Sequence, residues 1–146
     1  MSKRLRLLIV DESRATRQEL AALASSEPYI DLIGVAKHGL EAMTLAGRHR
    51  PHVVLLTQDL PGLPGLEVAR RLKEALPETR IFFLAADSQE QEAALGAGAD
   101  ATFVKGADTI RLLQALREAH SPTAKKGRRP RLPRRKKAAP KIVPWL

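Results

Sequence analysis

Two adjacent carboxylates and a distant lysine are the residues of this sequence whose types could do chemistry together. Asp11 and Glu12 directly follow the apolar run LRLLIV, and Lys105 directly follows the run TFV. Adjacent carboxylates repel each other and recruit a hard cation or a basic side chain, a counter-charge that Lys105 could supply. Acids after a strand also often begin a helix, where the helix dipole favours them. The residues alone leave both interpretations open.

Five short apolar runs, separated by helical patterns, would position these residues. Runs of this length between polar or Pro/Gly residues predict strands of a parallel sheet covered on both faces. The predicted strands are 5–10, 30–35, 53–57, 81–84 and 102–104. Strands alternating with helices predict a doubly wound α/β domain over residues 1–120. In such sheets functional residues gather beyond the carboxyl ends of the strands, which is where the acidic pair and Lys105 fall.

Two helices carry specific expectations. Ser88-Gln-Glu-Gln91 has the pattern of a capping box and predicts that Ser88 caps the fourth helix. In the last helix, Asp108 is the predicted N-cap. Helical spacing there predicts that Ile110, Leu113 and Leu116 form the buried face.

Residues 4–119 closely resemble a receiver domain of bacterial two-component response regulators, particularly those that precede LuxR-type DNA-binding domains (the NarL/FixJ-like subfamily). The segments that carry the resemblance are LLIVDES, GVAKHGLEAM, RPHVVLLTQDLPGLPGLEVARRLKEALP, IFFLAAD and GADATFVKG. The resemblance implies a five-stranded, flavodoxin-like (βα)5 fold with strand order 2-1-3-4-5. It also implies a role in phosphorelay signal transduction.

The resemblance assigns roles to five positions, and only two keep the family's chemistry. In that family an acidic pair helps hold Mg²⁺ and a lysine after strand five neutralises the phosphoryl group; Asp11 with Glu12 and Lys105 fit these positions. The family's phosphoacceptor aspartate ends strand three, a hydroxyl ends strand four, and an aromatic residue lies in strand five. Those three positions fall on Thr57, Ala85 and Thr102, with Phe103 expected on the opposite face of the strand.

These changes predict a pseudo-receiver that keeps the fold without the phosphorylation switch. Thr57 has no carboxylate, and its hydroxyl would need a positioned base to act as a nucleophile. Ala85 cannot hydrogen-bond a phosphoryl oxygen. We therefore expect a stand-alone, phosphorylation-independent adaptor that is not an enzyme and has no cofactor. The alternative is a phosphorelay receiver phosphorylated at Asp59 or at Thr57 itself.

The same resemblance limits what metal the pocket would hold. Its ligands would be Asp11, Glu12 and the backbone carbonyl of Asp59, which would bind Mg²⁺ weakly at best. We expect Lys105 to pair with the acids and to hold one conformation without a metal. The four histidines lie in different elements without ligand spacing, and we expect them at the surface.

The net charge of +9 lies almost entirely in the last 26 residues. Ten of the 25 Lys and Arg residues occur in residues 121–146, which contain no acid, so residues 1–120 hold 15 bases against all 16 acids. Residues 121–146 also hold five of the ten prolines and no sustained apolar face. The composition predicts an extended, disordered tail when unbound.

The basic run of this tail predicts a polyanionic partner. Its density attracts nucleic acid through counterion release, whereas the absence of aromatic residues within the run argues against base stacking. An anionic membrane, a protein reached through the terminal IVPWL, or a solvated tail without a partner remain the other possibilities. The predicted DNA or RNA contacts are Lys125, Lys126, Arg128, Arg129, Arg131, Arg134, Arg135, Lys136 and Lys137.

Two further expectations concern environment and assembly. The sequence contains no cysteine and no apolar stretch approaching the roughly 20 residues of a membrane span, so we expect a cytoplasmic protein without a transmembrane segment. By the same family resemblance, the surface formed by helix 4, strand 5 and helix 5 is the expected site for a protein partner or for a homodimer.

Overall fold

Strands and helices alternate along the whole described part of the chain. This computed structural model describes residues 4–120. The strands are β1 (Leu5–Val10), β2 (Ile30–Ala36), β3 (Val53–Thr57), β4 (Arg80–Ala85) and β5 (Ala101–Val104). The helices are α1 (Arg14–Ser25), α2 (Gly39–His49), α3 (Gly65–Ala75), α4 (Ser88–Gly96) and α5 (Thr109–His120). The five predicted strands are confirmed, with ends that differ by one residue at most.

All five strands pair in parallel in the order β2-β1-β3-β4-β5, which confirms the predicted doubly wound topology. The central strand β3 is buried along its entire length, as expected when helices cover both faces of a parallel sheet. Pairing of Val10 with Leu56 and of Ala85 with Val104 brings the ends of β1, β3, β4 and β5 to one edge of the sheet. We call this edge the carboxyl edge.

The sheet separates two apolar layers. On one face Phe83, Leu56 and Leu8 pack with α2, α3 and α4, through small alanines and through Val68 and Leu72. On the other face, Leu7, Ile9 and Phe82 belong to the layer that includes α1 and α5. Short alanine-rich helix faces let the helices approach the sheet closely, and the large side chains of the strands fill the space between them.

The predicted buried face of α5 is wrong at its first position. Ile110 is 72% exposed, and Leu113 is only partly buried. The buried pair is Leu112 and Leu116, which lie four residues apart and therefore on one side of the helix. Helical spacing fits the predicted face of Ile110, Leu113 and Leu116 as well as the observed face of Leu112 and Leu116. Only the packing of α5 on the sheet decides which of these two faces is buried.

The predicted N-cap of α4 is wrong by one residue. Asp87, not Ser88, is the N-cap: its side chain accepts a hydrogen bond from the Glu90 backbone N–H at 2.9 Å. The Glu90 carboxylate in turn accepts from the Ala86 N–H at 2.8 Å. Asp108 lies immediately before α5, and its carboxylate accepts from the Val104 N–H at 2.8 Å, which ties the loop after β5 to the helix start.

Several predictions concern parts of the chain that the structure does not describe. The boundary of a second segment at residue 121, and the nine basic residues assigned to nucleic-acid binding, lie outside the described residues. Within residues 4–120, no helix is long and apolar enough to cross a membrane.

Candidate functional site

The candidate site is the part of the carboxyl edge where β1, β3 and β5 end. Because Val10 pairs with Leu56, the next residues on the two strands, Asp11 and Thr57, come to lie side by side. Both are almost completely buried, with 2% and 3% of their surfaces exposed. Asp11 and Thr57 therefore lie together at the buried base of the candidate site.

Asp11 is the buried charge of this site. Its Oδ1 accepts a hydrogen bond from the Ser13 N–H at 2.9 Å, which orients the carboxylate at the start of α1. Its Oδ2 is buried and has no hydrogen-bond partner among the described residues. The nearest cation to this oxygen is the Lys105 ammonium, at 3.4 Å. At that distance and orientation the contact is an ion pair without a hydrogen bond.

Lys105 reaches the site from the loop after β5. Its backbone N–H donates to the Ala85 carbonyl at 2.8 Å, which continues the ladder one residue beyond the strand and fixes the start of the side chain. Gly106 follows with φ of 82°, a left-handed conformation that glycine adopts at little cost. The Lys105 side chain is 37% exposed, so the charge that faces Asp11 is partly solvated.

Thr57 occupies the acceptor position as a buried, inward-facing residue. Its hydroxyl donates to the Val10 carbonyl at 3.4 Å, which is a long hydrogen bond. Within residues 4–120 this hydroxyl forms no hydrogen bond with a histidine or a carboxylate, so no base is positioned to activate it as a nucleophile.

Asp59 lies in the loop after β3 and is exposed. The residue between it and β3, Gln58, is held in place by two bonds to the start of α3: its side-chain Oε1 accepts from the Leu66 N–H at 2.9 Å and its carbonyl accepts from the Gly65 N–H at 3.0 Å. Gln58 thus supplies the cap that the N-cap residue Pro64 lacks. A shift of Asp59 into the acceptor position would break both bonds.

Gly65 fixes the distance between that loop and β3. A Cβ atom at this position would collide with the carbonyl oxygen and carbon of Thr57, so only glycine allows α3 to begin this close to the strand. Gly62, with φ of 82°, forms the turn before it. The path of the loop between β3 and α3 is therefore fixed, and Thr57 is the residue at which β3 ends and this loop begins.

The remaining two positions have lost their polar or aromatic groups. Ala85 is fully buried and offers no hydroxyl. Thr102 accepts a hydrogen bond from the Gln91 amide at 3.0 Å, which links β5 to α4. Phe103 faces the other side, as predicted, where its ring lies 5.6 Å from Phe82 and 5.1 Å from the Arg111 guanidinium.

The donors fit a tight magnesium site poorly. One buried carboxylate oxygen is available on Asp11, but a lysine faces it, and no carboxylate ends β3. Glu12 is exposed. In the described part of the chain, no three His, Cys, Asp or Glu residues are grouped as a metal site would require. Mg²⁺ prefers octahedral oxygen coordination, of which this pocket supplies little.

Sequence reasoning missed the side chains that hold the loops of this site. The Arg17 guanidinium donates to the carbonyls of Asp11 and Glu12 at 3.1 and 3.2 Å, and so fixes the backbone of the acidic pair. Gln58 holds the loop after β3 to the start of α3, and Gln91 joins α4 to Thr102 of β5. Their contacts depend on where the elements meet, and the only signal for Arg17 was its place one turn into α1.

Comparison with known proteins agrees with this geometry. The sequence profile of the family described as the response regulator receiver domain matches residues 7–117. The nitrate/nitrite response regulator protein NarL of Escherichia coli is 31% identical over 115 residues, which cover 77% of this chain and 53% of NarL. Protein-glutamate methylesterase/protein-glutamine glutaminase 4 of Myxococcus xanthus is 34% identical over 69% of this chain and 30% of its own length. The chain thus spans about a third to a half of these relatives.

Solved structures show the same likeness. The response regulator domain of Thermotoga maritima CheB superimposes with a TM-score of 0.73 at 26% identity, over 81% of this chain and 97% of that domain. The signal receiver domain of NarL from Mycobacterium tuberculosis does so with a TM-score of 0.75 at 26% identity, over 86% and 99%. A profile match over most of the chain, with this sheet order and this site, places the protein in the response regulator receiver domain family.

Proposed function

We propose that this receiver domain acts in signalling as a phosphorylation-independent interaction module, a pseudo-receiver, without catalytic activity of its own. The observation that carries the proposal is the burial of Thr57 at the acceptor position. A hydroxyl that is 3% exposed and directed at a backbone carbonyl is neither accessible to a phosphodonor nor activated. With Ala85 at the end of β4, a phosphoryl group would also lack its hydroxyl partner.

The ion pair of Asp11 and Lys105 supports a single resting conformation. An isolated buried carboxylate is costly, and a cation at 3.4 Å offsets that cost without a metal. We propose that the Lys105 ammonium neutralises the Asp11 carboxylate permanently, whereas a bound metal ion would do so only while it is bound. Isothermal titration calorimetry with Mg²⁺ tests this part: heat that fits a tight site in the unmodified protein would contradict it.

Phosphorylation at Asp59 is the alternative, and its exposed carboxylate is accessible to a phosphodonor. The contacts of Gln58 argue against it, because they hold Asp59 in the loop, two residues beyond the buried site. Intact-mass spectrometry after incubation with acetyl phosphate and Mg²⁺ separates the two proposals. The pseudo-receiver gains no phosphoryl mass, whereas a gain that disappears in Asp59→Asn or in Thr57→Val would establish the alternative at that residue.

For a protein partner or a second copy we propose the surface formed by α4, β5 and α5. Two of the three large apolar side chains that are exposed in residues 4–120 lie on these helices, Leu95 at 53% and Ile110 at 72%. The Thr102–Gln91 bond joins β5 to α4 within this surface. Leu95→Lys with Ile110→Lys should reduce self-association or partner binding in light scattering. Leu40→Lys, on α2 and 65% exposed, is the matched control.

For residues 121–146 we propose binding to nucleic acid through the phosphate backbone. The support is compositional: ten basic residues and no acid, with nine of the bases between Lys125 and Lys137. About six phosphate contacts would make the affinity fall by several orders of magnitude between about 50 and 200 mM salt. Fluorescence anisotropy with the full chain, and with these nine residues changed to Gln, tests the proposal. Equal binding by the two proteins would refute it.

A further inference from the structure

Helix α4 is held to the rest of the domain by little apolar contact. Of its nine residues, SQEQEAALG, only Ala94 is buried, and they form no continuous apolar face. Its one large apolar side chain, Leu95, is 53% exposed. Ala97 and Ala99 are buried and anchor the turn that leads from α4 to β5. Three buried alanines give the helix a weak hold, because apolar stabilisation follows the area removed from water.

One side-chain hydrogen bond joins α4 to the sheet. The Gln91 Nε2 atom donates to the Thr102 Oγ1 atom at 3.0 Å, and both residues are half-buried. The other side-chain hydrogen bonds of α4 within residues 4–120 are local to its start, where Glu90 bonds Ala86 and Asp87. In the same part of the chain no residue of α4 lies in an ion pair. The bond between Gln91 and Thr102 is therefore the directional contact that sets where the helix lies on β5.

This bond lies inside the surface formed by α4, β5 and α5. Thr102 pairs with Phe83 of β4, so its side chain faces the layer that includes α4. Leu95 follows Gln91 by four residues and lies on the same side of the helix. Any movement of α4 along β5 would therefore break the bond and displace Leu95 relative to the strand.

The other contacts of α4 do not fix its position in the same way. Apolar contact through alanines is non-directional and tolerates a small shift of the helix, whereas a hydrogen bond weakens steeply when its distance and angle change. The cap formed by Asp87 and Glu90 binds backbone groups at the start of the helix itself, so it can move together with the helix. Gln91, in the second turn, is the residue that ties α4 to a strand.

We propose that the hydrogen bond between Gln91 and Thr102 is a latch, which holds α4 in one position on β5 and so fixes the arrangement of the surface formed by α4, β5 and α5. The inference rests on the proposed use of this surface for docking. A partner then meets Leu95 and Ile110 in a preformed arrangement, which lowers the cost of ordering on binding. Both groups of the latch are neutral amide and hydroxyl groups, so the bond persists across the physiological pH range.

Amide hydrogen exchange of the full chain, followed by NMR, measures how often α4 opens. Thr102→Val removes the acceptor and keeps the β-branched shape, and Gln91→Met removes the donor and keeps the length of the side chain. Loss of one hydrogen bond changes a local equilibrium roughly 2- to 12-fold, so the amides of α4 should exchange faster by that factor in either variant. Thr102→Ser keeps the hydroxyl and should recover most of the protection.

A double variant and a matched control make this test specific. Thr102→Val combined with Gln91→Met should open α4 no more than the more affected single variant, because both substitutions break the same bond. Thr79→Val is the control, since it removes a hydroxyl that donates to the Pro51 carbonyl at 2.8 Å, at the opposite edge of the sheet. It should not speed exchange in α4 more than in α2 and α3. If Thr102→Val leaves α4 unchanged, or speeds exchange equally in α2, α3 and α4, the latch is refuted.

Light scattering separates the latch from the docking surface on which it rests. It measures self-association of the full chain and of the variant that carries Leu95→Lys with Ile110→Lys. Faster exchange of α4 in Thr102→Val, beside self-association that the two lysines leave unchanged, would support the latch and refute docking of a second copy on this surface. Unchanged exchange, beside self-association that the two lysines abolish, would refute the latch and support the docking surface.

Discussion

Replacing Thr57 by aspartate puts a second carboxylate into a pocket that already holds a buried one. Neighbouring strands lie about 4.8 Å apart, so the new carboxylate would be roughly 5 Å from Asp11. At an effective dielectric constant of about 20 the repulsion is about 3 kcal/mol. Lys105 is 37% exposed and offsets only part of it. We expect Thr57→Asp to lose about 2–3 kcal/mol of unfolding free energy in EDTA at neutral pH.

The same substitution should make the stability of the domain depend on Mg²⁺. Asp11 and the introduced carboxylate would lie on adjacent strands, and a cation that binds only the folded state at about 100 times its Kd adds about 2.7 kcal/mol. In thermal unfolding, the expected loss in EDTA is about 8–12 °C, at about 4 °C for each kcal/mol, and saturating Mg²⁺ should restore most of it. The unmodified protein should show no comparable shift.

Thr57→Asn is the matched control, because asparagine has the shape of aspartate without its charge. It should lose clearly less stability than the aspartate variant in EDTA and should not respond to Mg²⁺. Equal stability of the two variants would show that repulsion does not govern this pocket. A Mg²⁺-induced shift in the unmodified protein as large as that in Thr57→Asp would refute the idea that Lys105 replaces the metal.

Three further substitutions test the loop after β3 and two contacts at the opposite edge of the sheet. Gly65→Ala should cost about 3 kcal/mol or more, or prevent folding, because its Cβ collides with the backbone at the end of β3. Tyr29→Phe should be neutral or stabilising by about 1 kcal/mol at neutral pH, since the buried hydroxyl has no partner among the described residues. Burial raises the pKa of the Tyr29 phenol above its usual value of 10.0, so the folded state holds the proton more tightly. Stability should therefore fall as the pH rises above about 10 in the unmodified protein, and this loss should be smaller in Tyr29→Phe. Lys73→Met should cost about 1–3 kcal/mol, because its ammonium donates to two carbonyls and one carboxylate at 2.9–3.2 Å.

Urea unfolding measures the free energy of unfolding of all three variants, and a control or a contradicting result can be stated for each. Gly47→Ala, where a Cβ meets nothing within 4 Å, should stabilise α2 by about 0.5–1 kcal/mol, so a similar gain in Gly65→Ala would contradict the close approach. An alkaline loss that persists unchanged in Tyr29→Phe would assign it to another group. A Lys73→Met variant as stable as the unmodified protein would mean that water satisfies the three oxygens.

The fold was predictable because each strand is a short apolar run between turn residues. The Pro61-Gly62 turn also fixed the register of the loop after β3, and therefore which residue lies at the base of the site. The N-cap of α4 was misplaced because D-x-x-E and S-x-x-Q overlap at positions 87–91, offset by one residue, and both fit a capping box. Only the backbone decides which of them is used.

What the sequence could not supply were contacts between distant segments. Gln58 caps α3 through the N–H of Leu66, eight positions further along the chain. Arg6 at the start of β1 bonds Arg50 and His52, which are more than 40 positions away. Ile110 and Leu112 fit the helical pattern of α5 equally well, and packing on the sheet selects Leu112. Register and packing, not residue type, decide these cases.

The central claim is that the domain keeps the receiver fold but does not respond to a phosphodonor. The most direct test records the amide NMR spectrum of the full chain before and after addition of acetyl phosphate and Mg²⁺. For a pseudo-receiver we expect the amide signals of Lys105 and of α4, β5 and α5 to remain in place. Displacement of these signals that depends on the phosphodonor, and that is abolished by Asp59→Asn, would contradict it.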